Sequence, residues 1–263
     1  MKNKFKIIDF MFAHAKYSTD YQDSKYIEWD RKVNTNDNTI FYTDYSLSQV
    51  RNDNKNNIAW LLESPEITSQ AYKWIESNNK LFTSVLTHNK ELLDKGENYM
   101  FCPTGGCWIK PEDQKIYEKK KLVSIIASAK RMTQGHMLRH QSIQMFKGKI
   151  DVYGRGYNPI EYKLDGLKDY AFSLTIENTQ KDYYFTEKLI DCFMTGTVPI
   201  YWGCPSIGKF FNTDGMIIYD NFTDFLDISF EKYENMKNAI EENFERAKEY
   251  LIAEDYIYKN YLI

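Results

Sequence analysis

A chain of 263 residues with 43% hydrophobic content is long enough for one large or two modest domains and apolar enough for a real core. Its 34 basic and 37 acidic side chains leave a formal charge of −3, which argues against a nucleic-acid partner recognised by charge alone. No apolar run approaches the roughly 20 residues needed to cross a bilayer, and residues 1–9 lack a signal-peptide core, so a soluble, cytoplasmic protein without a membrane span is expected.

The first predicted strand is the apolar run 5–12. A polar, Tyr-rich stretch follows, and then strands over 38–44 and 58–63. Ser64, Pro65 and Glu66 read as a helix start, with Ser64 as the cap, Pro65 in the first helical position and Glu66 complementing the dipole. Glu63 therefore stands at the carboxyl end of a strand, where open α/β sheets hold their ligands. A carboxylate there serves equally well as a general base or as a surface acid flanking a helix. Strands over 81–87 and 98–102 continue the series, separated by a helix over 89–95 that stops at Gly96. A turn at 103–106 leads to the charged segment 108–121, the predicted connection between domains at 1–118 and 119–263.

A second series opens with a strand over 122–128 and a helix over 136–147. On that helix Arg139 can reach an anion bound near the helix start, or can be a surface arginine. His136 and His140 lie four apart, as zinc ligands can, but no third ligand accompanies them and no metal site is assigned. After a strand over 149–153, Gly154-Arg155-Gly156 lacks the third glycine of a dinucleotide fingerprint. A strand over 170–176 runs through a polar loop into a short helix that opens at Thr186-Glu187-Lys188 and stops at Gly196. A buried parallel strand is then predicted over 198–202. A helix N-terminus carries free N–H groups, so Lys188 and Tyr184 beside it suit a phosphorylated ligand; an ordinary strand–helix–strand packing unit is the equal alternative. A short helix over 205–211, a strand over 215–219 and a helical tail from residue 221 complete the chain. In the tail Phe230, Tyr233, Met236, Ile240, Phe244, Ala247 and Leu251 recur at helical spacing. Cys102, Cys107, Cys192 and Cys204 are too few and too scattered for a disulfide scaffold and are expected as reduced, structural thiols. The aromatic share of 16% could supply sugar-stacking surfaces or reflect a bias of the whole chain.

The segments Glu177-Asn178-Thr179-Gln180, Tyr184-Phe185-Thr186-Glu187-Lys188 and Val198-Pro199-Ile200-Tyr201-Trp202-Gly203 resemble the donor-binding signature of the α1,3/1,4-fucosyltransferases, closest to the bacterial lipopolysaccharide-type members. The likeness extends more weakly back to Leu122, and in the first domain it lies in layout alone, through Trp60-Leu61-Leu62-Glu63. It implies an α/β, GT-B fold: two doubly wound Rossmann-like lobes facing across a cleft, an acceptor-side lobe followed by a donor lobe. It also implies inverting transfer of fucose from GDP-fucose to a hydroxyl of an acceptor glycan or glycolipid. Carried over residue by residue, Glu187 holds the ribose, Lys188, Tyr184 and Arg139 neutralise the diphosphate, and Asn178 lines the same site. Glu63 is the general base by that resemblance, with Glu66 as its substitute.

In a direct displacement a carboxylate takes the acceptor proton while charge grows on the departing diphosphate, and cationic side chains offset that charge. A bridging divalent metal is then a stimulant at most, in keeping with the lack of an Asp-x-Asp motif in the sequence. Two rivals stand beside this reading: a GT-B transferase using another nucleotide sugar, and a sugar-nucleotide or glycan-binding module without turnover. The acceptor itself is not legible.

Overall fold

The computed structural model describes residues 2–32, 39–104, 106–220 and 227–263. Asn38 at the start of one predicted strand, Gly105 of the predicted turn and the first residues of the predicted tail, 221–226, lie outside the described residues. The chain divides into two compact units, the first formed by Met1–Gly106 with Ile252–Ile263 and the second by Cys107–Leu251. The division thus falls after Gly106, at the start of the charged segment 108–121, whereas the sequence reading put it after residue 118, and the last residues, Ile252–Ile263, belong to the first unit.

Unit 1 is built on a six-stranded parallel sheet of β1 (Asn3–Ile8), β2 (Ile27–Asp30), β3 (Ile40–Thr43), β4 (Asn57–Trp60), β5 (Ser84–Thr87) and β6 (Tyr99–Phe101), in the order β2-β1-β3-β4-β5-β6. Both faces are covered, so β3 and β4 are buried at every position and successive side chains enter opposite cores. Ile40, Tyr42, Ala59 and Leu61 pack with Ala71, Tyr72 and Ile75 of α1 (Ser69–Asn78). Phe41, Ile58 and Trp60 pack on the other side with Ile252, Ala253 and Ile257, the last two from the final helix, Ala253–Tyr261. Between β5 and β6, α2 (Lys90–Leu93) is capped by Asn89, whose side chain accepts the Leu92 N–H at 2.9 Å.

Two features of unit 1 differ from the sequence reading. Strand β2 falls in the polar, Tyr-rich stretch: Ile27 and Trp29 are buried and Glu28 is exposed, an alternation too short to stand out between acidic neighbours. The helix expected to open at Ser64 begins at Ser69, because residues 65–67 form a turn in which the Ser64 carbonyl accepts the Ile67 and Thr68 N–H groups at 2.9 and 3.1 Å. The buried Asp44 draws Thr68 and the Leu62 N–H to itself, holding the chain off the helical path until Thr68 has passed.

Unit 2 carries a five-stranded parallel sheet of β7 (Lys121–Ile126), β8 (Asp151–Tyr153), β9 (Tyr170–Ile176), β10 (Val198–Trp202) and β11 (Ile217–Ile218), in the order β11-β10-β9-β7-β8. Helix α3 (Gln134–Met145) connects β7 to β8, and α4 (Glu187–Phe193) connects β9 to β10. The expected continuous tail is interrupted: α5 (Phe230–Asn235) and α6 (Lys237–Ala247) lie in unit 2, where Tyr233 and Ile240 join the core of β7, β9 and β10. Among the described residues no helix is long and apolar enough to cross a membrane.

The final helix is held to unit 1 by Glu254, a fully buried carboxylate that accepts the Ser18 N–H at 2.8 Å, the Ser18 hydroxyl at 2.6 Å and the Trp29 indole N–H at 3.0 Å. Glu254→Ala leaves these donors buried and unpaired. It is expected to lower the stability of unit 1 by about 2 to 3 kcal/mol, seen as an earlier urea midpoint in tryptophan emission. An unchanged midpoint would show that the helix is retained by packing alone.

Candidate functional site

In unit 2 the chain runs from β7 outward to β8 and then returns to β9 on the other side of β7, so helices leave the carboxyl ends of β7 and β9 in opposite directions. This is the topological switch point, where a parallel α/β sheet leaves a crevice for a ligand. A cavity of about 400 Å³ opens there. Its walls include Ile126, Ala127 and Ser128 at the end of β7, Thr175 and Ile176 at the end of β9, Gly154 and Arg155 after β8, Arg139 from α3, and Glu187, Lys188 and Asp191 from α4. Lys163 and Trp108 also line it. Gly154 has φ of +110°, and a Cβ there would lie 2.1 Å from the Ala127 carbonyl oxygen, so the turn after β8 closes against β7 only with glycine.

Helix α3 is placed by its first turn. A Cβ on Gly135 would stand 1.8 Å from the Glu177 carbonyl oxygen, and the Gly135 N–H donates to the Asn178 carbonyl at 3.0 Å. That contact sets the helix close on the end of β9 and brings Arg139 to it. The buried guanidinium donates through Nε to the Ile176 carbonyl at 2.9 Å and through Nη2 to the same oxygen and to Asn178 Oδ1, the latter at 3.1 Å.

The start of α4 is placed by Glu177, which is fully buried. Its Oε1 accepts the Thr186 N–H at 2.8 Å, its Oε2 accepts the Thr186 hydroxyl at 2.7 Å, and Lys188 Nζ lies 3.5 Å from Oε2. Thr186 is itself the helix cap, its Oγ1 accepting the Lys188 N–H at 3.4 Å and Lys188 Nζ at 3.0 Å. The cap thus takes up the Lys188 N–H, and the side chains of Glu187, Lys188 and Asp191 line the cavity.

Those side chains form a charge cluster. Lys163 Nζ sits 3.2 Å from Glu187 Oε1 and 2.9 Å from Asp191 Oδ2, while Lys188 Nζ sits 3.3 Å from Glu187 Oε1. Asp191 also accepts the Trp108 N–H at 2.6 Å, and the Lys163 ammonium lies 4.9 Å from the centre of the Trp108 ring. Burial pushes the Glu187 carboxyl up, but Lys163 and Lys188 outweigh it and hold this group well below the usual carboxylate range. Burial raises Asp191 in spite of Lys163, so the acid that stays ionised most readily is the one paired with two cations.

Of the residues expected to bind a donor, Arg139, Glu187 and Lys188 line this cavity, and Asn178 touches Arg139 beside it. Tyr184 is different: its ring is 1% exposed and packed inside the fold, and it is not part of the cavity wall. Lys163, Asp191 and the supporting Glu177 were not singled out from the sequence. Glu177 was legible as part of the quoted motif, whereas Lys163 comes from a connection between β8 and β9 that carries no local signal. The two histidines of α3 are otherwise engaged: His136 Nδ1 lies 2.9 Å from Thr133 Oγ1, and the His140 ring meets the Tyr157 hydroxyl and the Lys130 carbonyl. Among the described residues no group of three His, Cys, Asp or Glu side chains could hold a metal ion. All four cysteines are buried and none forms a disulfide.

Glu63 lies in unit 1, three residues beyond β4 at the carboxyl edge of the sheet, partly buried; Glu66 is exposed on the turn before α1. The backbone at Glu63 is fixed on both sides, its N–H by Asp44 Oδ1 at 3.4 Å and its carbonyl by the Tyr72 hydroxyl at 2.8 Å. Burial pushes the Asp44 carboxyl up to about 6, against the pull of the Leu62 N–H and the Thr68 hydroxyl. Between about pH 4 and about pH 6 the folded protein keeps a proton that the unfolded chain has released, so this group's contribution to stability falls as pH rises and levels off above about 6. The change across that window is about 3 kcal/mol. Asp44→Asn is expected to remove this slope in urea titrations of unit 1, and parallel pH profiles for the two proteins would contradict the assignment.

The profile of glycosyltransferase family 10 (fucosyltransferase), C-terminal part, matches residues 116–251, more than half of the chain. An α-(1,3)-fucosyltransferase of Helicobacter pylori is 39% identical over 108 residues, which make up 40% of this chain and 22% of that protein. The shared stretch thus spans well under two thirds of that relative. The crystal structure of an α1,3-fucosyltransferase aligns with a TM-score of 0.55 at 20% identity, covering 92% of this chain and 80% of that one. The crystal structure of an α1,3-fucosyltransferase with GDP-fucose aligns at 0.53 and 18%, covering 95% and 81%. At these identities the likeness establishes the fold, GT-B, with two parallel-sheet α/β units as expected. The profile match over residues 116–251 places the chain in glycosyltransferase family 10, the fucosyltransferase family.

Proposed function

We propose that the chain is an inverting glycosyltransferase that moves fucose from GDP-fucose to a hydroxyl of an acceptor glycan or glycolipid. The observation that carries this reading is the convergence of Arg139, Lys188 and Glu187 on one cavity at the switch point of unit 2. A buried guanidinium and an ammonium suit a diphosphate, and a carboxylate held ionised suits a pair of ribose hydroxyls as an acceptor of hydrogen bonds. Support for the guanosine nucleotide and for fucose comes from family membership and from the solved α1,3-fucosyltransferase carrying GDP-fucose.

In the proposed reaction the acceptor oxygen attacks the anomeric carbon of the donor while a carboxylate takes its proton; Glu63 is assigned this base, with Glu66 as the substitute. The bond from the anomeric carbon to the phosphate oxygen breaks with its electron pair going to GDP. Arg139 and Lys188 are assigned to the growing charge on the diphosphate, with Asn178 steadying Arg139 through Oδ1. Tyr184 is assigned to the packing behind the site instead of to the phosphates. Arg155 and Lys163 also line the cavity, so the chain's own cations can offset the leaving group, and we assign no obligatory metal, a divalent ion being at most a stimulant. The buried thiols fit a reducing compartment, and we place the protein in the cytoplasm.

Calorimetry with GDP and UDP tests the donor assignment: GDP is expected to bind and UDP to bind weakly, while tight binding of UDP alone would overturn it. Lys188→Ala is expected to weaken GDP binding by about 1.5 to 3 kcal/mol, the loss of a charged hydrogen bond. Glu63→Gln is expected to bind GDP as the wild type does and to transfer sugar about 10² to 10⁴ times more slowly. Equal transfer rates would remove Glu63 from the role.

A further inference from the structure

Unit 1 has a switch point of its own. Its strand order places β1 next to β3, and the chain leaves their carboxyl ends in opposite senses, with β4 beside β3. An aspartate follows each of the two strands, Asp9 after β1 and Asp44 after β3, and an exposed aromatic residue follows each aspartate. Phe10 is 59% exposed and Tyr45 is 57% exposed. Among the described residues these are the two aromatic side chains of unit 1 that stand more than half in solvent.

The backbone that presents them is tightly built. Asp9 Oδ1 accepts the Met11 N–H at 2.7 Å, the Phe12 N–H at 3.2 Å and the Thr43 hydroxyl at 3.0 Å, joining the end of β1 to the end of β3. The Ser46 hydroxyl donates to the Ile8 carbonyl at 2.5 Å and joins them again. Asp44 accepts the Leu62 N–H at 2.7 Å and the Glu63 N–H, joining β3 to the segment of Glu63. Three adjacent loops at one sheet edge are thus cross-linked by buried aspartates, and what they hold outward includes two large apolar rings. Phe10 and Tyr45 thus stand on a cross-linked backbone at the edge where an α/β sheet takes its ligand, and they offer aromatic area there without much ordering cost.

We propose that Phe10 and Tyr45 form the platform on which the acceptor's sugar ring packs its apolar face, so that acceptor recognition begins at the carboxyl edge of β1 and β3. The inference rests on the reading of the chain as a glycosyltransferase with a glycan acceptor. Its class of ligand is a saccharide with an exposed C–H face, presented with a hydroxyl near the segment of Glu63.

Saturation-transfer difference NMR with two neutral disaccharides, lactose and N-acetyllactosamine, tests it without requiring turnover. The wild type is expected to transfer magnetisation to the ring protons of at least one of them. Phe10→Ala and Tyr45→Ala are each expected to weaken that binding about 3- to 10-fold, the range for an aromatic contact, and Tyr45→Phe to retain it. Both sites are solvent-exposed, so GDP affinity and the melting temperature are expected to stay at wild-type values. No transfer to either sugar in the wild type, or equal transfer in the Phe10→Ala, Tyr45→Ala double variant, would overturn the platform. A protein that binds the sugar through these residues but does not bind GDP would instead sink the glycosyltransferase reading and leave the sugar site standing.

Discussion

Two donors of Thr186 and the ammonium of Lys188 converge on the carboxylate of Glu177, which is removed from solvent at the end of β9. A buried carboxylate is costly unless its oxygens are taken up by donors, and here the hydroxyl and N–H of the helix cap and a nearby ammonium take them up together. The geometry of the site follows from that arrangement. Fixing Thr186 fixes where α4 begins, and with it the positions of Glu187, Lys188 and Asp191. One residue away, the Ile176 carbonyl fixes Arg139 and the Asn178 carbonyl fixes the first turn of α3. Residues 176–178 therefore align two helices on one cavity, and their support is made of backbone and buried charge instead of surface ion pairs that salt would screen.

The charges within the cavity are balanced unequally. Lys163 stands between Glu187 and Asp191, and of these two acids it is Glu187 that Lys188 supplies with a second cation. Glu187 is consequently the carboxylate kept ionised, while Asp191 is drawn into the wall with Trp108. The same economy appears in unit 1, where Asp9, Asp44 and Glu254 are buried acids that organise loops and a helix through N–H and hydroxyl donors. In both units buried carboxylates fix the backbone near the sheet's carboxyl edge, leaving other side chains to carry the chemistry.

The core of unit 2 was readable in the sequence because its strands are predominantly apolar, short runs; β9 and β10 run over the residues expected from that pattern. Arg139, Glu187 and Lys188 were readable as a set through the resemblance of the segments around them to the fucosyltransferase donor signature, since position alone left Arg139 and Lys188 equally well placed as packing or surface residues. Other parts depended on contacts between residues distant in sequence. Strand β2 has two buried side chains in four residues and takes its place by pairing with β1. The start of α1 is displaced by Asp44, more than twenty residues upstream, and no local propensity reports that pull. Tyr184 precedes the helix as a phosphate ligand would, and that it is buried there is something spacing along a loop does not reveal. Lys163 reaches Glu187 and Asp191 from 24 and 28 residues away, and only the folded chain joins them.

The central claim is that the residues aligned by the end of β9 receive the diphosphate and ribose of a guanosine nucleotide. A crystal structure of the protein with GDP tests it most directly. The account predicts phosphate oxygens within hydrogen-bond distance of Arg139 and Lys188 and ribose hydroxyls at Glu187, with Glu177 still holding Thr186. GDP bound away from the switch point of unit 2, or bound there with its phosphates turned from both cations, would contradict it.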